Sequence, residues 1–242
     1  KFSVDNSRAY VPDYNYTIPP PPENANLNNI EFTKETTIGA GYRLVVQEHY
    51  AKTVALNFAN GVEQGGGWIR GARAQEEAIV RCSSLILSLK PSLSPDHVKG
   101  KKPDDITING KQYKRVSCMY HANRQLGLEN FEEGPLSTDY QLLNPDVVVF
   151  RDDQFNFLDE PFKLSFITSP ACYAIGYYHA VGRTEQSIQK VNSIMLNRIR
   201  KIILLAIEEG YECIILGAYG CGAFGNNSSD VAKMFHKVLV EE

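Results

Sequence analysis

Apolar positions along the chain fall either into short unbroken runs or into longer stretches at helical spacing. Val54, Ala55, Leu56 and Phe58 predict a strand over 53–60 that is buried on both faces. Ahead of it, Ala40, Leu44, Val45 and residues 48–50 predict a short helix. After a Gly-rich turn, Ala78, Cys82, Leu85 and Leu89 recur every three or four residues, which predicts a helix over 74–89 that Pro91 ends. Short strands are predicted at 113–119 and 147–150, and a buried strand at 164–169 closed by Pro170. A long helix over 184–209 carries Ile188, Val191, Met195, Ile199, Ile202 and Ala206 on one stripe and stops at Gly210. An all-apolar strand at 213–216, a second Gly-rich turn and a helix over 229–240, with Val231, Phe235 and Val238 or Leu239 facing inward, complete the pattern. Strands without a polar face need cover on both sides, so the fold class is α/β, three layers around a largely parallel or mixed sheet.

Two segments lack any period. Residues 1–30 are rich in Asn, Pro and Tyr and contain four consecutive prolines at 19–22, which predicts a polyproline II arm ahead of one folded domain over 31–242. Residues 90–103 mix Pro, Ser, Lys and Gly and predict a solvated loop. With 242 residues, 43% of them apolar and 22% charged, the chain has material for a core that needs neither metal nor disulfide. A formal net charge of -3 argues against a mainly electrostatic grip on DNA. No apolar run approaches the ~20 residues of a membrane span, and no signal-like apolar core follows Lys1. Cys82, Cys118, Cys172, Cys213 and Cys221 are odd in number and form no Cys-x-x-Cys pair, which fits a reducing compartment and is read as a cytoplasmic location. The histidines are scattered without ligand spacing, so no protein-only metal site is expected.

The chemistry concentrates at the two Gly-rich turns. Gly65, Gly66 and Gly67 are followed, after seven residues, by Gln75, Glu76 and Glu77 in the first turn of the predicted helix. Consecutive glycines let backbone approach a ligand closely. The paired carboxylates either favour the positive helix N-terminus or form a functional pair. The second turn, residues 217–225, joins a buried strand to a helix, where exposed backbone N–H groups make an anion cradle with a diphosphate as natural occupant. Gly220, Gly222 and Gly225 also satisfy the Gly-x-Gly-x-x-Gly spacing of dinucleotide sites, but near the chain end, with no room for the βαβ half that a dehydrogenase requires. Asn57 and Asn60, poor strand formers at the end of the first strand, either bind a polar ligand or tie down the loop.

Asn57-Phe58-Ala59-Asn60, the three glycines, Gln75-Glu76-Glu77, the strand end Ser169-Pro170-Ala171 and the Gly-Cys-Gly-x-Phe-Gly loop, in this order, resemble the poly(ADP-ribose) glycohydrolases of the shorter microbial type, over residues 53–239. The resemblance implies a macrodomain-like fold with a mixed central sheet, and hydrolysis of the ribose–ribose O-glycosidic bond of poly(ADP-ribose) without metal or other cofactor. It makes Glu77 the catalytic acid/base and Glu76 the neighbour that orients the ribose, with Gln75 supporting the loop. Gly65, Gly66 and Gly67 then approach the reacting ribose, and Asn60 binds its hydroxyl. Gly220, Cys221, Gly222, Ala223 and Gly225 cradle the diphosphate, and Phe224 packs against ADP-ribose. The helix N-terminus lowers the Glu77 pKa while burial and Glu76 raise it, so Glu77 is expected to be ionised in the free enzyme and to act as an acid chiefly in the substrate complex. Tyr173, Tyr177 or Tyr178 could stack on the adenine. In the family a further strand normally follows the last helix, beyond Glu242.

The implied partners are poly(ADP-ribose) or an ADP-ribosylated protein, with ADP-ribose as product, and neither DNA nor a membrane. Two alternatives stand beside this reading: a macrodomain that binds ADP-ribose without cleaving it, and a hydrolase of mono-ADP-ribosylated protein. The intact Gln75-Glu76-Glu77 favours an enzyme, because a pure binder needs the diphosphate loop but no buried acid.

Overall fold

The computed structural model describes residues 2–20, 30–89, 98–99, 105–108, 111–114 and 119–241. In chain order the helices are α1 (Phe2–Asn6), α2 (Thr37–Tyr42), α3 (Gln75–Cys82), α4 (Leu85–Ser88), α5 (Met119–Glu129), α6 (Ala174–Val181), α7 (Glu185–Glu208) and α8 (Ser228–His236). The strands are β1 (Arg8–Tyr10), β2 (Thr53–Ala59), β3 (Val98–Lys99), β4 (Asp105–Ile108), β5 (Lys111–Lys114), β6 (Gln141–Arg151), β7 (Phe157–Pro170) and β8 (Cys213–Ile215). The main sheet runs β3-β1-β6-β7-β2-β8, with β4 and β5 forming a separate antiparallel pair. β2 is parallel to β7 on one side and to β8 on the other, whereas β6 is antiparallel to β7 and to β1. The sheet is therefore mixed, as its uninterrupted apolar strands imply.

Each face of the sheet has its own core. One packs Ala55, Ala59, Leu142 and Phe166 against Ile38, Ile79, Val80, Leu85, Met119 and Leu126 from α2 to α5. The other packs Val54, Leu56, Leu143 and Ile167 against the apolar stripe of α7 and against Val231 and Met234 of α8. This is the expected three-layer arrangement. Among the described residues, no helix is long and apolar enough to cross a membrane.

Four sequence expectations change. Residues 2–17 are part of the fold, not an arm: β1 pairs with β6, and Tyr10 and Tyr14 donate hydrogen bonds to Glu209 and Glu208 at the end of α7. Arg8 adds an ion pair to Glu209, and Tyr10 is fully buried. The helix expected over 74–89 breaks at Ser83, because Ser83 bridges to Val149 and the Ser84 amide donates to the Val148 carbonyl at 2.8 Å, along the stretch of β6 beyond its pairing with β1. Serine side chains compete for backbone groups and so favour such breaks. The strand expected over 113–119 is present only as the end of β5 in the described residues, and Met119 begins a helix. The last helix becomes a π turn after His236. Cys118 and most of the expected 90–103 loop lie outside the described residues.

One buried charge ties these layers together near the carboxyl end of β7. Arg198 of α7 is completely buried; it donates to the carbonyls of Pro170 (2.8 Å) and Leu136 (3.2 Å) and pairs with Asp139 at 2.9 Å. Burial works against the Asp139 carboxylate, but Arg198 and Lys201 hold its pKa below the ordinary value. Removing one member of such a pair leaves an uncompensated buried charge. Asp139→Ala is therefore expected to cost roughly 3–5 kcal/mol, read from the shift in the urea unfolding midpoint at unchanged slope.

Candidate active site

Because β7, β2 and β8 are parallel, the chain leaves all three at the same edge of the sheet, where open α/β sheets bind ligands. Both Gly-rich loops open there: residues 60–67 follow β2, and residues 217–225 follow β8. Gly217 packs against the Phe58 ring at the end of β2, which places the two loops side by side.

The first loop returns into α3, whose opening residues point back into it. Gln75 completes the β2 ladder past the end of β8. Its Nε2 donates to the Leu56 carbonyl at 2.7 Å and its Oε1 accepts from the Phe58 amide at 2.9 Å, as a neighbouring strand would. Glu76, 2% exposed, lies under the loop: its Oε2 accepts from the Asn60 amide at 2.7 Å and its Oε1 from Asn57 Nδ2 at 3.3 Å. Glu77, 8% exposed, accepts from the Gly67 amide at 2.9 Å through Oε1, while its Oε2 is buried with no partner among the described residues. Burial pushes the Glu76 pKa up to about 8, against the Asn60 and Asn57 donors that pull it down. Between the loop and these carboxyls sits Gly66, at φ +59°; a Cβ there would collide with Glu77 Oε1 and lie 3.2 Å from Glu76 Oε2. Only glycine tolerates both the backbone and the approach.

Asn60 ties the loop down: its Oδ1 accepts from the amides of Val62 (3.2 Å) and Glu63 (3.0 Å), leaving its Nδ2 as the group able to meet a ligand. Asn57 is buried under Glu76 and is not a ligand contact in this conformation.

In the second loop the glycines divide by role. Gly220, at φ +72°, packs against Ala171 and Asn226, and Gly225 has φ +71° against Ile175, so both are required by the fold. Gly222 faces open space, with nothing within 4 Å of where a side chain would begin. Among the described residues the amides of Gly222, Ala223 and Phe224 have no protein acceptor, which makes an outward row of donors between Cys221 and Gly225. Asn226 holds the loop to the segment that follows β7, donating to the carbonyls of Gly220 (2.9 Å) and Cys172 (2.8 Å). Phe224 packs on Tyr173 with ring centroids 5.4 Å apart, Tyr177 is buried, and Tyr178 lies under Arg183. Among the described residues no cluster of His, Cys, Asp and Glu has the arrangement of a metal site.

Sequence reasoning missed the supports. Asn123 of α5, 1% exposed, donates to the Gly61 carbonyl at 2.9 Å and accepts from the Thr138 amide and hydroxyl, each at 2.7 Å. The helical spacing of Met119, Ala122 and Leu126 was the available sign of α5.

A mixed sheet that presents buried paired carboxyls and an outward amide cradle at one edge defines a macrodomain-like hydrolase. The family model "Microbial-type PARG, catalytic domain" matches residues 1–152. Poly(ADP-ribose) glycohydrolase from Thermomonospora curvata superposes with a TM-score of 0.71 at 29% identity, covering 98% of this chain and 74% of that one. The Deinococcus radiodurans enzyme in complex with ADP-ribose gives 0.72 at 28% identity, covering 98% and 83%. A variant of the latter, also with ADP-ribose, is 33% identical over 86% of this chain and 69% of its own, with a TM-score of 0.65. A search of curated protein sequences gives no significant match. The chain belongs to the microbial-type poly(ADP-ribose) glycohydrolase family.

The raised Glu76 pKa makes stability depend on pH with a definite sign. Between the ordinary carboxyl value and about 8 the folded state holds a proton that the unfolded chain has released, so this group's contribution is lost as pH rises. Glu76→Gln removes that dependence. Its melting temperature relative to wild type is expected to be higher at pH 9 than at pH 5, measured by thermal melts in matched buffers.

Proposed function

We propose that this enzyme releases ADP-ribose from poly(ADP-ribose) with Glu77 as the general acid/base and Glu76 as the group that orients the reacting ribose. The observation that carries this is Glu77 Oε2, a buried carboxyl oxygen with no partner among the described residues, on an acid whose other oxygen occupies the place where a Gly66 side chain would begin. Hydrolysis of the ribose–ribose bond breaks the link between the anomeric carbon and the 2'-oxygen of the leaving ribose. Glu77 gives its proton to that oxygen as the bond breaks, then takes one from the water that attacks the oxocarbenium-like carbon. Burial pushes the Glu76 pKa up to about 8, which lessens the negative charge beside Glu77 at neutral pH. The amides of Gly222, Ala223 and Phe224 receive the diphosphate, Gly65 to Gly67 close on the ribose, Asn60 Nδ2 meets its hydroxyl, and Phe224 with Tyr173 lines the ADP-ribose. ADP-ribose in the Deinococcus structure supports the choice of ligand. The four described cysteines, all free, support a reducing, cytoplasmic location, and the net charge of -3 supports a partner other than DNA.

Glu77→Gln keeps shape and removes the titrating proton. Turnover of labelled poly(ADP-ribose) is expected to fall ~100-fold or more while calorimetric affinity for ADP-ribose survives. Full turnover in that variant would remove the proposed catalyst, and no turnover in wild type with ADP-ribose bound would make the protein a binding module.

Gly222→Val adds bulk in open space, so the melting temperature is expected to stay close to wild type. ADP-ribose binding is expected to weaken by ~1–3 kcal/mol through blocked amides. Wild-type affinity in the folded variant would contradict the diphosphate assignment.

A further inference from the structure

A line of buried polar side chains crosses the interior of the sheet from Glu76 to the N-terminal helix. Asn57 Nδ2 donates to Glu76 Oε1 (3.3 Å) and to Thr168 Oγ1 (3.2 Å). The Thr168 hydroxyl donates to Asn144 Oδ1 (3.1 Å), and Asn144 Nδ2 donates to Ser7 Oγ and to the Ser88 carbonyl, both at 3.1 Å. Ser7 in turn donates to the Ser3 carbonyl at 2.8 Å. Asn57, Thr168 and Asn144 have no exposed surface, and they sit on three neighbouring strands, β2, β7 and β6.

The direction of this line is set from its far end. The Ser88 carbonyl can only accept, so Asn144 must turn its Nδ2 there and its Oδ1 toward Thr168. That oxygen can only accept, so it takes the single Thr168 proton. Thr168 is left able only to accept from Asn57, which must therefore present Nδ2, and the same nitrogen meets Glu76. The cost of this orientation is visible: Asn57 Oδ1 is buried with no partner among the described residues. Turning the amide over would set its oxygen against a hydroxyl whose proton is already committed.

We propose that Thr168 and Asn144 are positioning residues for Glu76, fixing the Asn57 amide so that a donor and not an acceptor faces the carboxyl that orients the ribose. The inference rests on the role given to Glu76 above. Neither residue touches substrate; each acts through Asn57.

Thr168→Val keeps the shape and removes the hydroxyl, whereas Thr168→Ser keeps the hydroxyl and gives up a methyl group. A packing role makes serine the worse replacement; a positioning role makes valine the worse one. In steady-state hydrolysis of poly(ADP-ribose), Thr168→Val is expected to lower kcat about tenfold with KM within about twofold, and Thr168→Ser to restore most of kcat despite a lower melting temperature. Thr168→Ala set against Thr168→Ser isolates the same hydroxyl if valine is not accommodated, and ADP-ribose calorimetry confirms that each variant retains its cleft. Equal kcat in the valine and serine variants, or a loss confined to KM, overturns the proposal. Glu76→Gln is measured alongside. If it is impaired and Thr168→Val is not, positioning through Thr168 fails and the reading of Glu76 stands; if Glu76→Gln is fully active, that reading fails and this inference with it.

Discussion

Two adjacent carboxyl groups can be kept from water only where nearby backbone supplies hydrogen-bond donors, and that requirement shapes the site from Asn57 to Glu77. Glu76 takes the Asn60 amide from the start of the loop, and Glu77 takes the Gly67 amide from its end. The loop therefore closes over the carboxyls because both of its ends are bound to them. Gly66 must be without a side chain because the same closure presses its backbone onto both acids. α3 cannot move away, since Gln75 is hydrogen-bonded into β2 at two points. Carboxyls, loop and helix are one arrangement, and changing any of them disturbs the others.

The second loop follows the opposite rule. Its amides face outward, where water satisfies them at little cost and an anion can replace that water. An interior acid and an exterior cradle work on one ligand only if the distance between them is fixed. Arg198 holds the Pro170 carbonyl at the end of β7, and Asn226 joins the next turn of that segment to Gly220. Asn123 holds Gly61 on the other side. Rigid elements thus anchor both loops close to their glycines.

The parts of this design that were legible in the sequence are those written locally. The apolar run ending in Asn57 and Asn60, the three glycines and Gln75-Glu76-Glu77 follow each other within about two dozen positions, and each residue type has a conformational or chemical reason to be there. Asn57 was read as a ligand or loop residue; its actual partners, Glu76 and Thr168, become neighbours only when α3 and β7 pack on β2. The same limit hid the N-terminal strand, because Tyr10 meets Glu209 across almost the whole chain and prolines at 19–22 give no hint of what precedes them. β6 and β7 were read as shorter than they are, since buried but polar Gln141 and Asn144 interrupt the apolar pattern at the start of β6 and mostly exposed residues open β7. Arg198 carries no warning either: a cation on an apolar stripe reads as a helix edge until Asp139 is seen beside it.

The brevity of β8 links the two halves of the site. β8 pairs with β2 only as far as Ala55 opposite Ile215, and β2 continues for four more residues. Had β8 run on beside it, the ladder positions of Leu56 and Phe58 would be occupied by backbone, and Gln75 would have no strand to complete. α3 would then lack its anchor, and its carboxyls would lose their place under the loop. Because the chain instead turns away at Leu216, the vacated positions go to Gln75 and the departing segment becomes the amide cradle. One early strand ending both seats the acids and builds the loop opposite them, so lengthening β8 by even two residues would compromise both halves of the site at once.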